Sequence, residues 1–384
     1  MTILPQSDVS TSDPSRFITA IFVEESCADL PYTREILGRA NNVPVQILPE
    51  RTSPAFDYPP YPASLGLGKQ HLLLCRNRGR FFKPCPATRV YRCCDYQVLN
   101  TGMNCPMDCT YCILQAYLNN PWLSLFVNTD DLFRELTEAF RREPERFWRI
   151  GTGEFTDSMA LDRLTGLSRL LVTFMRTQAN AVLELKSKAV VLDHLKDLDH
   201  GGRTIMAWSM NSATIMRQHE HKTAPLADRL AAAAQCAAWG YPLAFHFDPL
   251  IFYPGWEEEY RQTIRAIYHA VPADRIAWIS LGAFRFLPQL KTIIATRFPH
   301  ARFAHEEFIT GLDNKCRYFR SQRTAMYRAL VEELRHHAHP ATCLYLCMES
   351  ETIWQEVFGF VPEEHGGLGT MLDAAARRFA GNTR

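Results

Sequence analysis

The sequence predicts an α/β fold: a partial (βα)6, TIM-like barrel with a small N-terminal α/β unit and a C-terminal extension of helix and strand. Three observations predict it. Between residues 95 and 284, short apolar strand-like runs alternate with amphipathic runs of helical period. Strands that alternate with helices make a parallel sheet with the helices outside it. The alternation repeats about six times, and eight repeats would close a full barrel.

Each element follows from its local pattern. Residues 1–16 are polar and read as a disordered tail. "FITAIFVEE" (17–25) reads as a strand, "YTREILGRA" (32–40) as a short helix and "VPVQILP" (43–49) as a strand. Together they form the N-terminal unit over 17–70. It ends in "RTSPAFDYPPYPASLGLGKQ" (51–70), whose prolines and glycines mark a linker. The barrel is assigned to 71–300. Its strands are "YQVLN" (96–100), "RFWRIGTGE" (146–154), "AVLELKS" (181–187), "RTIMAWSMN" (203–211), "YPLAFHFDPL" (241–250) and "RIAWISLGAF" (275–284). Between them lie helices at 130–144, 161–176, 225–240 and 256–270. The extension covers 301–384.

Composition excludes several classes. Lys plus Arg number 42 against 41 acidic residues, a net charge of +1, so a uniformly basic nucleic-acid binder is not indicated. No apolar run approaches the ~18 residues of a membrane span. The first residues, "MTILPQSDVSTSDPSR", lack a basic start and an apolar stretch, so no export signal is expected. Twelve cysteines without such a signal point to the reducing cytoplasm, where thiols bind metals or stay free.

The chemistry is concentrated in "TGMNCPMDCTYCILQAYLNNP" (101–121), which holds Cys105, Cys109 and Cys112. The spacing is C-x3-C-x2-C, and no second pair completes the four ligands of a zinc ribbon. A [4Fe–4S] cluster is normally held by four thiolates. Three thiolates on one loop hold three irons and leave the fourth open to a small ligand. A zinc knuckle, or three unrelated core thiols, is the plain alternative. The loop follows the first barrel strand, at the end where barrel chemistry sits.

The motif, with the aromatic Tyr111 before its last cysteine, resembles the radical S-adenosylmethionine (SAM) superfamily. A closer resemblance runs over about residues 70–360. It is carried by "RNRGRFFKPCPATRVYRCCDYQVLNTG" (76–102), "CPMDCTYCILQAYLNNP" (105–121), "GTGEFTDSMALDRLT" (151–165), "FHFDPLIFYPGWEEEY" (245–260), "LGAFRF" (281–286), "KCRYFRSQRTAMY" (315–327) and "YLCMESETIWQEVFG" (345–359). These segments resemble the spore photoproduct lyase family. The resemblance implies a [4Fe–4S] cluster on the three cysteines and SAM on the open iron. It also implies reductive cleavage to a 5′-deoxyadenosyl radical and an external electron donor of flavodoxin or ferredoxin type. Lyases of the family repair a thymine dimer in DNA, using a cysteine that returns a hydrogen atom. Two positions depart. No cysteine stands where that one aligns, in 151–158, where Glu154 or a neighbour fills the position, and Ile113 stands where the lyase has a tyrosine. A carboxylate O–H bond is too strong to replace a thiol. The chain therefore reads as a relative whose substrate differs, a nucleic-acid lesion or modified base, with a peptide or small molecule as the alternative.

The resemblance also marks SAM contacts at strand ends. Glu154 or Thr156 meets the SAM amino group, since a carboxylate pairs with an ammonium. Lys186 meets its carboxylate, and Ser209 a ribose hydroxyl or the carboxylate. Lys186 and Ser209 are equally compatible with solvated strand ends, and Glu154 with a surface acid beside a turn glycine. Tyr111 and Glu154 are the catalytic candidates. His246 and Asp248 of "HFDP" are candidate acid–base or substrate groups, or parts of a strand-end turn. Arg285 is a candidate anion clamp.

Two runs are basic and free of acids. Residues 72–92 hold Arg76, Arg78, Arg80, Lys83, Arg89 and Arg92, and residues 315–331 hold Lys315, Arg317, Arg320, Arg323 and Arg328. Aromatic residues interleave with both, as a nucleic-acid groove requires. A solvated helix face is the alternative for the second. Cys85, Cys93, Cys94, Cys343 and Cys347 read as buried structural thiols, any of which could replace the missing hydrogen donor.

Overall fold

The computed structural model describes residues 13–86 and 91–380. Seven parallel strands form its main sheet: β1 (Gln97–Leu99), β2 (Trp148–Gly151), β3 (Ala181–Ser187), β4 (Thr204–Ser209), β5 (Leu243–Leu250), β6 (Ile276–Ala283) and β7 (Cys343–Leu346). They pair in that order, and an antiparallel strand, Phe82–Pro84, borders β1. The edges, β7 and Phe82–Pro84, do not pair, so the sheet is an open, partial barrel. All eight residues of β6 are buried, and six of the seven of β3. Near-continuous burial is what a parallel strand covered on both faces requires.

The six expected strands are β1 to β6. The seventh, β7, comes from the expected C-terminal extension. Its run "CLYL" is too short to show a period, but it fits beside β6 with Trp278 opposite Cys343. The outer helices bury one stripe each. In Thr129–Arg142, Leu132, Leu136 and Phe140 recur every four residues and face inward. Asp130 and Asp131 sit in its first turn and Arg141 and Arg142 in its last, which complements the helix dipole. The helix expected over 161–176 is two helices, Asp162–Thr165 and Leu167–Arg176. Gly166 between them has φ +62°, which a side chain rarely tolerates. Asp162 then caps the second helix, accepting from Ser168 N at 2.8 Å.

A second sheet flanks the barrel. Val45–Leu48, Ala20–Glu24, His71–Cys75 and Leu123–Phe126 run parallel in that order, and Gly102–Met103 closes the sheet antiparallel. The sheet thus crosses residue 70 and takes in strands on both sides of the cysteine loop. The chain leaves the barrel after β1 and enters the second sheet at Gly102, and the cysteine loop runs from there to Leu123, between two strands of that sheet. Of the tail expected over 1–16, residues 1–12 lie outside the described residues. Pro14–Phe17 form a 3₁₀ turn capped by Asp13, which accepts from Ser15 N at 2.9 Å.

The segment read as a linker is docked instead. Ser64–Gly68 form a short helix. Phe56 stacks on His71 with centroids 3.7 Å apart, and Tyr61 donates to the Gln115 carbonyl at 2.9 Å, just beyond the cysteines. Proline and glycine report the lack of regular structure there, not the lack of contacts.

Candidate functional site

A cavity of about 520 Å³ opens at the C-terminal ends of the barrel strands. Cys105, Cys109 and Cys112 all line it. Cys105 and Cys109 are buried and Cys112 is half-buried. Burial, then Asp157, pushes the Cys105 thiol well up, and burial, then Glu220, does the same for Cys109. Metal binding must therefore displace protons from them. Among the described residues no group of three or more His, Cys, Asp or Glu side chains is arranged to hold a single metal ion.

The loop is anchored by charge from outside the barrel. Lys69 is 2% exposed, and its Nζ donates to the Met107 carbonyl at 2.5 Å and to Asp108 at 3.0 Å. Burial opposes its charge. Asp108, then Cys112 and Cys105, outweigh burial and hold the ammonium above the ordinary lysine range. Arg297 donates to both Asp108 oxygens, at 2.8 and 3.1 Å, and to the Gln115 side chain. An anionic cluster held here sits beside a buried cation.

Tyr111 lines the cavity and turns its hydroxyl to Glu220, to which it donates. Glu220 is paired with Arg229 at 2.5 Å, and both side chains are fully buried. Arg229 also donates to the carbonyls of Ser209 at 2.7 Å and Ala224 at 2.9 Å. The network ties the cysteine loop to the end of β4.

The structure brings the other candidates to the same cavity. Glu154 and Thr156 follow β2, Lys186 lies near the end of β3, Ser209 ends β4, and Asp248 and Arg285 stand across the mouth. Gly151 is needed where β2 ends, because a Cβ there would lie 1.3 Å from the Tyr96 hydroxyl. Asp157 fixes the turn after Glu154: it accepts from Ser187 Oγ at 2.6 Å and from the backbone of Met159, Ala160 and Lys188. Burial opposes the charge of Lys186, but Glu184, Glu154 and Asp248 outweigh it and hold its pKa up. Arg285 donates to Asp248 at 3.2 Å and to Cys347 Sγ at 3.3 Å.

His246 is the exception. It does not line the cavity. Its Nδ1 meets Ser280 Oγ and its Nε2 meets Glu184 Oε1, each at 2.7 Å, inside the barrel. On a strand, residues two apart share a face. His246 thus shares the inward face with Asp248 but lies one layer deeper, in the core. Trp278 at 2.8 Å and Tyr96 at 3.1 Å complete the shell of Glu184. Burial raises the Glu184 pKa, but His246 and Lys186 outweigh it and bring it down to about 2. A carboxylate with a lowered folded-state pKa stabilises above its unfolded value, ~4.3, and that stability is lost as pH falls toward 2. Wild type is therefore expected to lose urea resistance between pH 4.5 and 2.5 more steeply than Glu184→Gln.

Sequence reasoning missed Lys188, Asp157, Met348 and Lys69. It named Cys85 and Lys315 without placing them, and both line the cavity. The basic runs are largely spent on internal pairs: Arg78 with Glu24 at 2.8 Å, Arg92 with Glu363 at 3.0 Å, Arg323 with Glu349 at 2.9 Å. Arg317, 1% exposed, pairs with Asp313. The runs do meet, with Arg317 over the Tyr91 ring at 4.3 Å. Lys83 lies over Phe155, a cavity residue, at 4.6 Å, while Arg89 lies outside the described residues.

Residues 92–340, more than half of the chain, match the family model "Spore photoproduct lyase". The chain belongs to the spore photoproduct lyase family. Similar members of the family include the spore photoproduct lyase of Bacillus subtilis, 26% identical over 237 residues, which cover 61% of this chain and 67% of that one. The lyase of Clostridium acetobutylicum is 21% identical over 290 residues, covering 75% and 84%. A solved cysteine-to-alanine variant of spore photoproduct lyase, with dinucleoside spore photoproduct, superposes with a TM-score of 0.78 at 20% identity. The match covers 86% of this chain and 98% of that one. A second solved lyase, with AdoMet and dinucleoside spore photoproduct bound, gives 0.77 at 20% identity over 85% and 98%. The family's partial barrel is thus the fold of this chain. Among the described residues no helix is long and apolar enough to cross a membrane.

Proposed function

We propose that this protein is a radical SAM enzyme acting on a nucleic-acid lesion or modified base. The observation that carries the reading is the shared cavity. Cys105, Cys109 and Cys112 line it beside Glu154, Thr156, Lys186 and Ser209, which come from three other strand ends. The cysteines would hold a [4Fe–4S] cluster, and with SAM bound that cluster supplies reductive cleavage to a 5′-deoxyadenosyl radical. Glu154 meets the SAM ammonium and Lys186 its carboxylate, each by opposite charge. Tyr111 is a positioning residue, because its hydroxyl is committed to Glu220. Lys188, Arg285 and Lys315 give the mouth the cations that a phosphodiester requires, and Tyr117, 46% exposed, offers a ring for base stacking.

Glu154 cannot return a hydrogen atom, but Cys85 faces the same cavity. Cys93 beside it, then burial, hold its thiol well above the ordinary range. In our reading Cys85 takes the donor role. The donated hydrogen makes a C–H bond, the S–H bond breaks, and the thiyl is restored by one electron from the reductant and one solvent proton.

Anaerobically reconstituted protein should be brown, hold iron and sulfide, and release 5′-deoxyadenosine on dithionite reduction with SAM. Zinc without iron, or no cleavage, would sink the reading. The same reaction in D2O without substrate tests Cys85. Wild type should give monodeuterated 5′-deoxyadenosine and Cys85→Ala mostly unlabelled product. Equal labelling in both would remove Cys85 from the mechanism. Thymine-dimer repair should be weak or absent.

A further inference from the structure

Lys69 meets the ligand loop at its midpoint. Met107, whose carbonyl accepts from its Nζ at 2.5 Å, is the middle of the three residues between Cys105 and Cys109. The approach is built into the backbone. Lys69 caps the short helix Ser64–Gly68, and a Cβ on Gly68 would lie 2.3 Å from that of Pro121, at the far end of the cysteine stretch. Glycine lets the helix end come this close, and the helix end delivers the lysine under the loop.

Charge reaches the ligand thiols from two sides. From the barrel, Asp157 acts on Cys105, and Glu220 and Lys188 act on Cys109. Glu220 is paired with Arg229 at 2.5 Å, and Asp157 accepts from Ser187 and three backbone N–H groups. From outside, Lys69 acts on all three of Cys105, Cys109 and Cys112. Asp108 does not cancel it, because Arg297 holds the same carboxylate by two hydrogen bonds. Two cations on one carboxylate leave one positive charge beneath the loop, and the half-buried Lys222 adds to it. The side chains of Lys69, Arg297 and Asp108 are 2%, 7% and 15% exposed, so salt screens this charge little. Reduction adds one negative charge to an iron–sulfur cluster, and a fixed cation beside it favours the reduced form.

We infer that Lys69 is a positioning residue that raises the potential at which the cluster accepts its electron, through its charge and without ligating iron. The inference rests on the radical SAM reading and names the residue that tunes that site. One electron passes from the reductant to the cluster, no bond forms or breaks, and Lys69 keeps its proton. A lysine that only pinned the loop would change how much cluster the protein holds and leave the potential where it is.

The test is an equilibrium redox titration of anaerobically reconstituted full-length protein, with dithionite as reductant and the reduced cluster followed by electron paramagnetic resonance. At the wild-type midpoint, Lys69→Met should lower the ratio of reduced to oxidised cluster about tenfold, which is a midpoint more negative by ~59 mV for one electron. Asp108→Asn removes the opposite charge from the same contact and should move the midpoint the other way. Lys69→Arg should restore the wild-type value. The shifts should persist in high salt, as those of a buried charge do. Loosening of the loop would move Lys69→Met and Asp108→Asn in one direction, so opposite signs are the mark of charge. Midpoints equal to wild type in both, or shifted the same way, overturn the role of Lys69 and leave the radical SAM reading standing. Should Lys69→Met hold no cluster, Asp108→Asn decides alone, and a midpoint at or below wild type overturns the inference. Wild type that takes up no cluster overturns both.

Discussion

Cys112→Ala is expected to lose the cluster and all SAM cleavage while keeping the fold. Three thiolates are the minimum that leaves one iron open, and removing one leaves a cubane held at two corners. Cys112 contributes little to packing. It is half-buried, and the bond that holds its turn is backbone, Cys112 N to the Cys109 carbonyl at 3.1 Å. Iron per protein should drop to background, and 5′-deoxyadenosine should fall below detection. Thermal melting of the metal-free variant should match metal-free wild type. A variant that keeps iron and cleaves SAM would place the third ligand elsewhere.

Arg229→Met is expected to cost the fold about 3–5 kcal/mol, because it leaves the Glu220 carboxylate buried without its partner. The guanidinium is 0% exposed and also satisfies two backbone carbonyls, so methionine returns its volume and none of its bonds. The urea midpoint should fall accordingly. The loss should reach the cysteine loop through Tyr111, so reconstituted protein should shed iron faster than wild type. Arg229→Lys should recover part of both, through the charge alone. An unchanged midpoint would mean that the pair is neutral to folding.

The chemistry was legible because it is local. Three thiols seven residues apart end to end, Tyr111 among them, speak without a fold around them. Strand ends were legible too: Glu154, Lys186, Ser209, Asp248 and Arg285 were picked by position and stand at one cavity. What failed was depth along a strand. His246 and Asp248 share a face, and only the assembled barrel shows that one lies in a buried layer and the other at the mouth. Long-range partners were also invisible. Lys69 lies in a segment that reads as a proline-rich connector, and nothing local says that its charge reaches Asp108. Charge counting misled in the basic runs, since Glu24, Glu349 and Asp313 sit far away or outside the windows that were counted.

The position of Lys69 bears on where this protein can be cut. The family match starts at residue 92 and stops at 340. A fragment trimmed to those limits would drop the buried lysine under the cysteine loop, three of the five strands of the flanking sheet, and β7 at the barrel edge. It would also sever Arg149, 5% exposed, from Asp373 at 2.6 Å. The stretch that best identifies the family is thus smaller than the unit that can hold its cofactor, and expression boundaries should follow the sheets rather than the similarity.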